Sequence, residues 1–563
     1  MKRHLLIAAG MAAAVSVSAE WGNTADGAIP VFPTGTNTYA TEIQVTPDGG
    51  VWAMMYHPDL RNASGETDIK NVIYEYRVQY WDKYGNPGFP EDGLLVSDFK
   101  NKSYTVVNNY LSCDSEGNLL LCVLDCRNSH DQEGSYTAYL ISPDGEMLWG
   151  EDGKPVSDET NPSSFSAMMS AVPLGDGSFV FSWIDGDEFT TNVMLQRLDK
   201  NGDRQWDSQA VSLLDDQCSN PYLIPSDDNT CILVYSKTAS QVIYARKLDF
   251  EGSSVWGKDT RVYRGGWGSI PIHTLISVVP SGDGGALISW NDDRANTNFE
   301  SPFLSYVTSD GKLGFSGASD EGDVKLGYAG WRCFNVKAAP AADGSGFYTA
   351  WRETNVGQSW QGLKIQKVSP DGELMWGENG KEAVPMDNQS IGYISTQTAG
   401  GTDFMLFYEI YYSYFDQIPL ASLIDADGEP EWAQGTIALS ERGRKASNLK
   451  SAPLAGNKSW IYSWTDAPGE EDAVDTRLMG RLNMDGTFGM SDSGVKETVV
   501  SDDDIRFDGR VLRGDANSVT VYGIEGSVVA GMTFTGGEAV IDLPAGIYLA
   551  KCDNGKAIKI IIR

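Results

Sequence analysis

Ser142-Pro143-Asp144-Gly145-Glu146-Met147-Leu148-Trp149-Gly150 returns almost unchanged as Ser369-Pro370-Asp371-Gly372-Glu373-Leu374-Met375-Trp376-Gly377. Looser copies end in a tryptophan at 199–206, 249–256 and 425–432, and weaker ones occupy 82–89, 308–315 and 483–490. Their turn glycines are Gly85, Gly145, Gly202, Gly252, Gly311, Gly372, Gly428 and Gly486, spaced 50 to 61 residues apart. A second motif alternates with the first. It is clear at 45–56, 172–185, 279–292, 339–353 and 452–466, and degenerate at 113–125, 224–236 and 399–409. Each motif reads as strand, tight turn, strand. Glycine suits such turns because it takes positive φ at no steric cost. Two hairpins per repeat give four antiparallel strands, and eight such repeats read as the blades of a β-propeller. The expected fold is all-β: an eight-bladed β-propeller over residues 20–496, then a linker at 497–510 and a small β-sandwich module at 511–563. Trp21-Gly22 and Gly27-Ala28-Ile29-Pro30-Val31 echo Trp149-Gly150 through Val156, so the N-terminus is a candidate outer strand for the last blade. The alternative is that the copy at 483–495 supplies its own.

Composition narrows the function. The chain has 563 residues, 43 Lys plus Arg against 77 Asp plus Glu, and a net charge of −34. That balance lacks the basic footprint of a nucleic-acid binder and argues against docking on an anionic membrane. The 61 glycines and 16 tryptophans fit many tight turns and a β-rich core. His57, His130 and His273 are scattered, which disfavours a histidine metal site or a serine triad. Lys2, Arg3 and His4 followed by the apolar run Leu5–Val17 and the small residues Val17-Ser18-Ala19 read as a signal peptide at 1–19, so an exported protein is expected, in the periplasm in transit. No later segment is long and apolar enough for a transmembrane helix. The seven cysteines are irregularly spaced and are expected to be mainly buried thiols, with a bridge within Cys122/Cys126 or Cys218/Cys231 as the alternative.

Strand parity selects a binding face. The a–b and c–d turns lie on one face of an antiparallel blade, so the longer b–c and d–a connections lie on the other. Long loops on a rigid scaffold carry binding residues. Strand-b ends there place an aromatic beside charge: Trp183 near Asp185, Trp290 near Asp292, Asp293 and Arg294, Trp351 near Arg352 and Glu353, Trp464 near Asp466. Trp267 and Trp331 stand in d–a loops. The candidate ligand-binding set is thus Asp185, Trp267, Asp292, Asp293, Arg294, Trp331, Arg352, Glu353 and Asp466, for a glycan, peptide or protein ligand. The strand-b tryptophans also fit packing between blades. Asp199 and Asp425 head acidic turns, but the glycine sits fourth where an EF-hand needs it sixth, so a hairpin is expected and no metal or cofactor is called for.

The first motif resembles the Asp box of sialidases and related propellers, a Ser-x-Asp-x-Gly-x-x-Trp turn. Ser142, Asp144 and Trp149 fit, as do Ser369, Asp371 and Trp376, while Gly145 and Gly372 come one residue early. The resemblance implies a fold element on the face away from catalysis. The arginine-isoleucine-proline opening of that family is missing, since Gly268-Ser269-Ile270-Pro271 lacks the arginine. A carbohydrate-active hydrolase, sialidase-like or built on two of the central carboxylates Asp185, Asp292, Glu353 and Asp466, is the alternative to a binding protein. The tail resembles the type A C-terminal sorting domain of the type IX secretion system in Bacteroidota. Val521-Tyr522-Gly523-Ile524-Glu525-Gly526, the run Leu543-Pro544-Ala545-Gly546-Ile547-Tyr548, and Gly555-Lys556 before a basic-apolar strand carry the match. Asp508-Gly509-Arg510-Val511 replaces the family's Tyr-Pro-Asn-Pro opening. The resemblance implies partnership with that secretion machinery, loss of the tail, and secreted or cell-surface delivery.

Overall fold

Both turn motifs fold as the tight connections of antiparallel sheets. The computed structural model describes residues 21–562 except 23–26, 34–38, 60–72, 100–108, 128–133, 158–164, 187–190, 207–210, 213–217, 228, 238–241, 265–276, 295–298, 316–318, 320, 328–331, 472, 491–504, 508–509, 524–527, 545 and 555–556. The signal-peptide expectation at 1–19 lies outside the described residues. The chain separates into two compact units, Met1–Gly489 and Met490–Arg563. Among the described residues of the first unit, eight four-stranded antiparallel sheets follow one another in chain order. First strands of successive sheets touch, and Ser447–Pro453 of the eighth touches Tyr39–Val45 of the first, so the sheets close into a propeller. The first strands therefore lie nearest the axis.

Middle strands are sandwiched between neighbouring blades, and their sequence shows it. Leu119–Asp125 and Ala286–Asp292 are buried at every position, where a one-sided strand would alternate. Outer strands are short except Lys381–Asp387, which runs seven residues. Lys154–Pro155, Val211–Ser212 and Ile437–Ala438 span two residues each, which blunts the exposed edge.

The tryptophan ending the first motif is a clasp between blades. The indole N–H of Trp149 donates to the Lys200 carbonyl in the next blade's c–d turn at 3.0 Å. Trp206 does the same to Phe250, Trp256 to Ser309, Trp376 to Ala426 and Trp432 to Met484, at 3.0–3.1 Å. In two of the three weaker copies, at 82–89 and 308–315, a phenylalanine fills the place: Phe315 is buried and packs on Phe347 of the next blade, with ring centroids 5.8 Å apart. The N-terminus completes the ring. Ile29–Pro30 pairs with Thr476–Asn483 as the eighth blade's outer strand, and Trp21 donates to the Lys83 carbonyl of the first blade at 3.0 Å.

The turn glycine has a second duty beyond φ. Gly311 has φ +81°, and a methyl group there would sit 2.5 Å from the Trp256 ring of the preceding blade. Gly311→Ala is therefore expected to cost about 2–4 kcal/mol, from left-handed backbone strain plus overpacking. A urea denaturation curve checks this.

The seven cysteines are all free and buried. Among the described residues no helix is long and apolar enough to cross a membrane. In the second unit Ile505–Phe507, Val511–Gly514 and Glu538–Val540 form one sheet. Val528–Thr533, Ser518–Gly523, Gly546–Cys552 and Ala557–Ile562 form the other. Leu512, Val519, Val521, Ala550 and Ile560 share the core between the two sheets. The stretch 497–510, expected as a linker, thus already contains a strand: Phe507 packs on that core and pairs with Leu512.

Candidate functional site

Two of the conspicuous carboxylates at the strand-b ends, Asp292 and Asp466, are built into the fold. Asp292 is 1% exposed. Its oxygens accept the Trp290 indole N–H at 2.8 Å, the Arg294 amide at 2.9 Å and the Arg294 guanidinium at 2.7–3.1 Å. Arg294 also pairs with Asp323 at 2.8 Å and lies 3.8 Å over the Phe303 ring. Blade two repeats the device, with Arg127 on Asp125 at 2.7–3.0 Å and on the face of Phe99 at 3.7 Å. In blade eight the partner comes from the preceding loop: Arg444 Nε meets both oxygens of Asp466 at 3.0 Å. Buried Asp292 and Asp466 are thus charge-paired and shielded from solvent, which withdraws them as a free acid and base pair. Asp293 is buried as well, while Asp185 is half-buried.

Arg352 donates to the Ile391 carbonyl at 3.0 Å and lies 5.2 Å from the Phe334 ring centroid, and burial lowers its pKa. Burial raises the Glu353 carboxyl pKa, with nearby Lys364 opposing. The tryptophans Trp183, Trp290, Trp351 and Trp464 are buried, the packing role. Trp267 and Trp331 lie outside the described residues. In the acidic turns, Asp199 Oδ1 accepts two amides of its own turn, from Asn201 at 2.8 Å and Asp203 at 3.0 Å, as a hairpin requires. Asp425 does the same with Asp427 and Glu429.

A different feature of the long-loop face stands out between blades six and seven. Strand Phe404–Ser413 runs ten residues, against seven to nine for the other second strands, and continues through a two-residue turn into Asp416–Ile424. Such turns favour Asn-Gly or another positive-φ pair. Here the tip is Tyr414-Phe415, and neither residue has positive φ. Large aromatics at an uncapped tip break the local rule, as functional positions do. Tyr412 is 44% exposed, Tyr414 70%, Phe415 41%, and Trp360 on the neighbouring b–c loop 51%.

The hairpin is braced from the loop that follows blade seven. Arg442 Nε meets both Asp416 oxygens at 3.0–3.1 Å and its guanidinium lies 3.7 Å over Tyr412. Lys445 sits 4.9 Å from the Tyr414 centroid and 5.1 Å from that of Phe415. Gln417 donates its amide to the Arg444 carbonyl at 2.8 Å. Arg442 and the Gly443 amide hold the Asp416 pKa below the usual carboxylate range. The brace is therefore intact at neutral pH and is lost only as pH falls below that range.

At the hairpin's base Glu409, 1% exposed, accepts the Leu449 amide at 2.6 Å, the Tyr393 amide at 3.0 Å and the Tyr411 hydroxyl at 2.5 Å. Burial and then Glu409 raise the Tyr411 pKa, so its phenol stays protonated and is a weak nucleophile. Beside it opens a cleft of about 320 Å³ whose walls include Ser359, Asn388, Gln389, Tyr411, Tyr412 and Tyr414. That volume is in the range of small-ligand sites, about 300–1,000 Å³.

The nine candidates from sequence stop short of this cleft. The degenerate copy at 399–409 ends at Glu409, just short of Tyr411, which stands in register where blade eight has Asp466, and of Tyr412, Tyr414 and Phe415 beyond it. Four aromatics in five residues were the available signal.

No family model matches the chain, and no curated protein matches it. Solved structures do. The WD40 domain of SCAP from fission yeast aligns at 8% identity, covering 82% of this chain and 98% of that one, with a TM-score of 0.42. Polysaccharide lyase Uly1 aligns at 9% identity over 84% and 94% of the two chains, with a TM-score of 0.40. The Dos1 propeller aligns at 10% identity over 80% and 95%, with a TM-score of 0.37. The chain is an all-β propeller. That conclusion stands on its own ring of sheets, and the likeness goes no further than fold.

Proposed function

We propose that this is an exported binding protein whose propeller holds its ligand, a glycan, peptide or protein, on the long-loop face, in the cleft beside the Tyr411–Phe415 hairpin. The observation that supports it is a braced, solvent-exposed row of aromatics on a rigid scaffold, placed on the face that strand parity selects. Aromatic side chains bring large contact area at low entropic cost. The sorting-type tail supports delivery to the cell surface. Asp185 in blade three and Arg352 and Glu353 in blade six are further polar groups at strand-b ends of the same face, for a larger ligand.

Tyr412→Ala with Tyr414→Ala is expected to weaken binding on glycan and peptide arrays by about tenfold or more, while stability falls by no more than about 1–2 kcal/mol, the two cation–π contacts at the tip being lost. Unchanged array binding contradicts the placement. Deleting residues after Val511 and fractionating cells tests the tail: loss of surface delivery is expected, and unchanged localisation refutes it.

A further inference from the structure

We infer that the cleft is built for a neutral oligosaccharide, an inference that rests on the binding role proposed above and narrows its ligand. The named walls of the cleft carry hydroxyl and carboxamide groups and no charge. Sugar hydroxyls both donate and accept, and these groups match them in kind. The Asn388 carboxamide and the hydroxyls of Tyr412 and Tyr414 make no hydrogen bond among the described residues, so they are available to a ligand. The Tyr411 hydroxyl donates its hydrogen bond to Glu409 and keeps lone pairs as an acceptor.

The carboxylates nearest the hairpin are already paired. Asp416 is taken up by Arg442, Asp466 by Arg444, and Lys445 lies against Tyr414 and Phe415. The named walls themselves supply no cation to an acidic polysaccharide, Lys445 standing at the tip outside them, and such a ligand approaches a protein of net charge −34, which repels it. Tyr412 is 44% exposed although a cation covers one face, and its exposed part can meet the apolar side of a pyranose.

Peptide binding by strand addition is disfavoured by the ladder. Tyr411 pairs with Ser390 on one side and Gln417 on the other, so its strand offers no free edge.

Affinity electrophoresis of the full chain tests the inference, in native gels containing dextran, mannan, arabinoxylan or β-glucan, and in gels containing polygalacturonate or chondroitin sulfate. Retardation is expected in at least one neutral gel. It should fall about tenfold in Tyr412→Ala/Tyr414→Ala, and hold between 50 and 500 mM NaCl, since screening acts on charge pairs. It should also be flat from pH 5 to 8, because no histidine lines the cleft. Retardation only in acidic gels, lost with salt and weakened by the double variant, overturns the neutral class but keeps the cleft. Array binding of a peptide that depends on the two tyrosines does the same. Retardation in neutral gels that the double variant leaves intact, or none in any gel, overturns the inference itself.

Discussion

Trp21→Ala is expected to cost about 3–5 kcal/mol, the usual range for emptying a buried tryptophan site. Trp21 is buried and its indole donates to Lys83 in the first blade, while Ile29 and Pro30, eight and nine residues on, pair with Met479 and Leu478 in the last. Removing the ring leaves a cavity and an unpaired carbonyl at the one junction where the two ends of the propeller meet. Trp21→Phe keeps most of the packing and loses the hydrogen bond, so a loss of about 1 kcal/mol is expected. Deleting residues through Val31 goes further. It exposes the Thr476–Asn483 edge to pairing with other chains, and size-exclusion chromatography should show association. A Trp21→Ala protein with an unaltered denaturation midpoint contradicts the closure.

Asp292→Ala is expected to destabilise by about 3–5 kcal/mol, because it strands a guanidinium and an indole N–H in a buried setting. Arg294 keeps Asp323 as a partner, which holds the loss below that of a wholly orphaned charge. The double variant Asp292→Ala/Arg294→Ala is expected to lose less than the sum of the two singles, since the second change removes the charge that the first one stranded. Chemical denaturation of all four proteins gives the coupling. A variant of normal stability that has lost ligand places Asp292 at the ligand rather than in the fold.

The repeats were legible because their glycines and tryptophans recur at one spacing, and each is required by a local constraint: positive φ for the glycine, a carbonyl in the next turn for the tryptophan. Even the weak copies were informative, since the phenylalanine that replaces tryptophan at position 315 still packs on the next blade. The role of Asp466 was not legible. Its arginine lies 22 residues back in another blade's loop, so only the fold brings the pair together. The aromatic hairpin was hidden for the opposite reason. It lies just past the end of blade seven's degenerate copy, and its Tyr414-Phe415 tip carries no turn signal. Ile505–Phe507 was masked by the acidic run before it, although Phe507 supplies the apolar contact that makes the segment a strand.

The most direct measurement compares two double variants on the same glycan and peptide arrays, with thermal melts alongside. Tyr412→Ala/Tyr414→Ala removes the hairpin's aromatics, and Asp185→Ala/Glu353→Ala removes the half-buried carboxylates at the strand-b ends. The expected result is that the first loses binding by about tenfold or more with a stability loss of no more than about 1–2 kcal/mol, while the second keeps binding. Binding that survives the first pair and vanishes with the second contradicts the assignment of the cleft and returns the site to the strand-b ends.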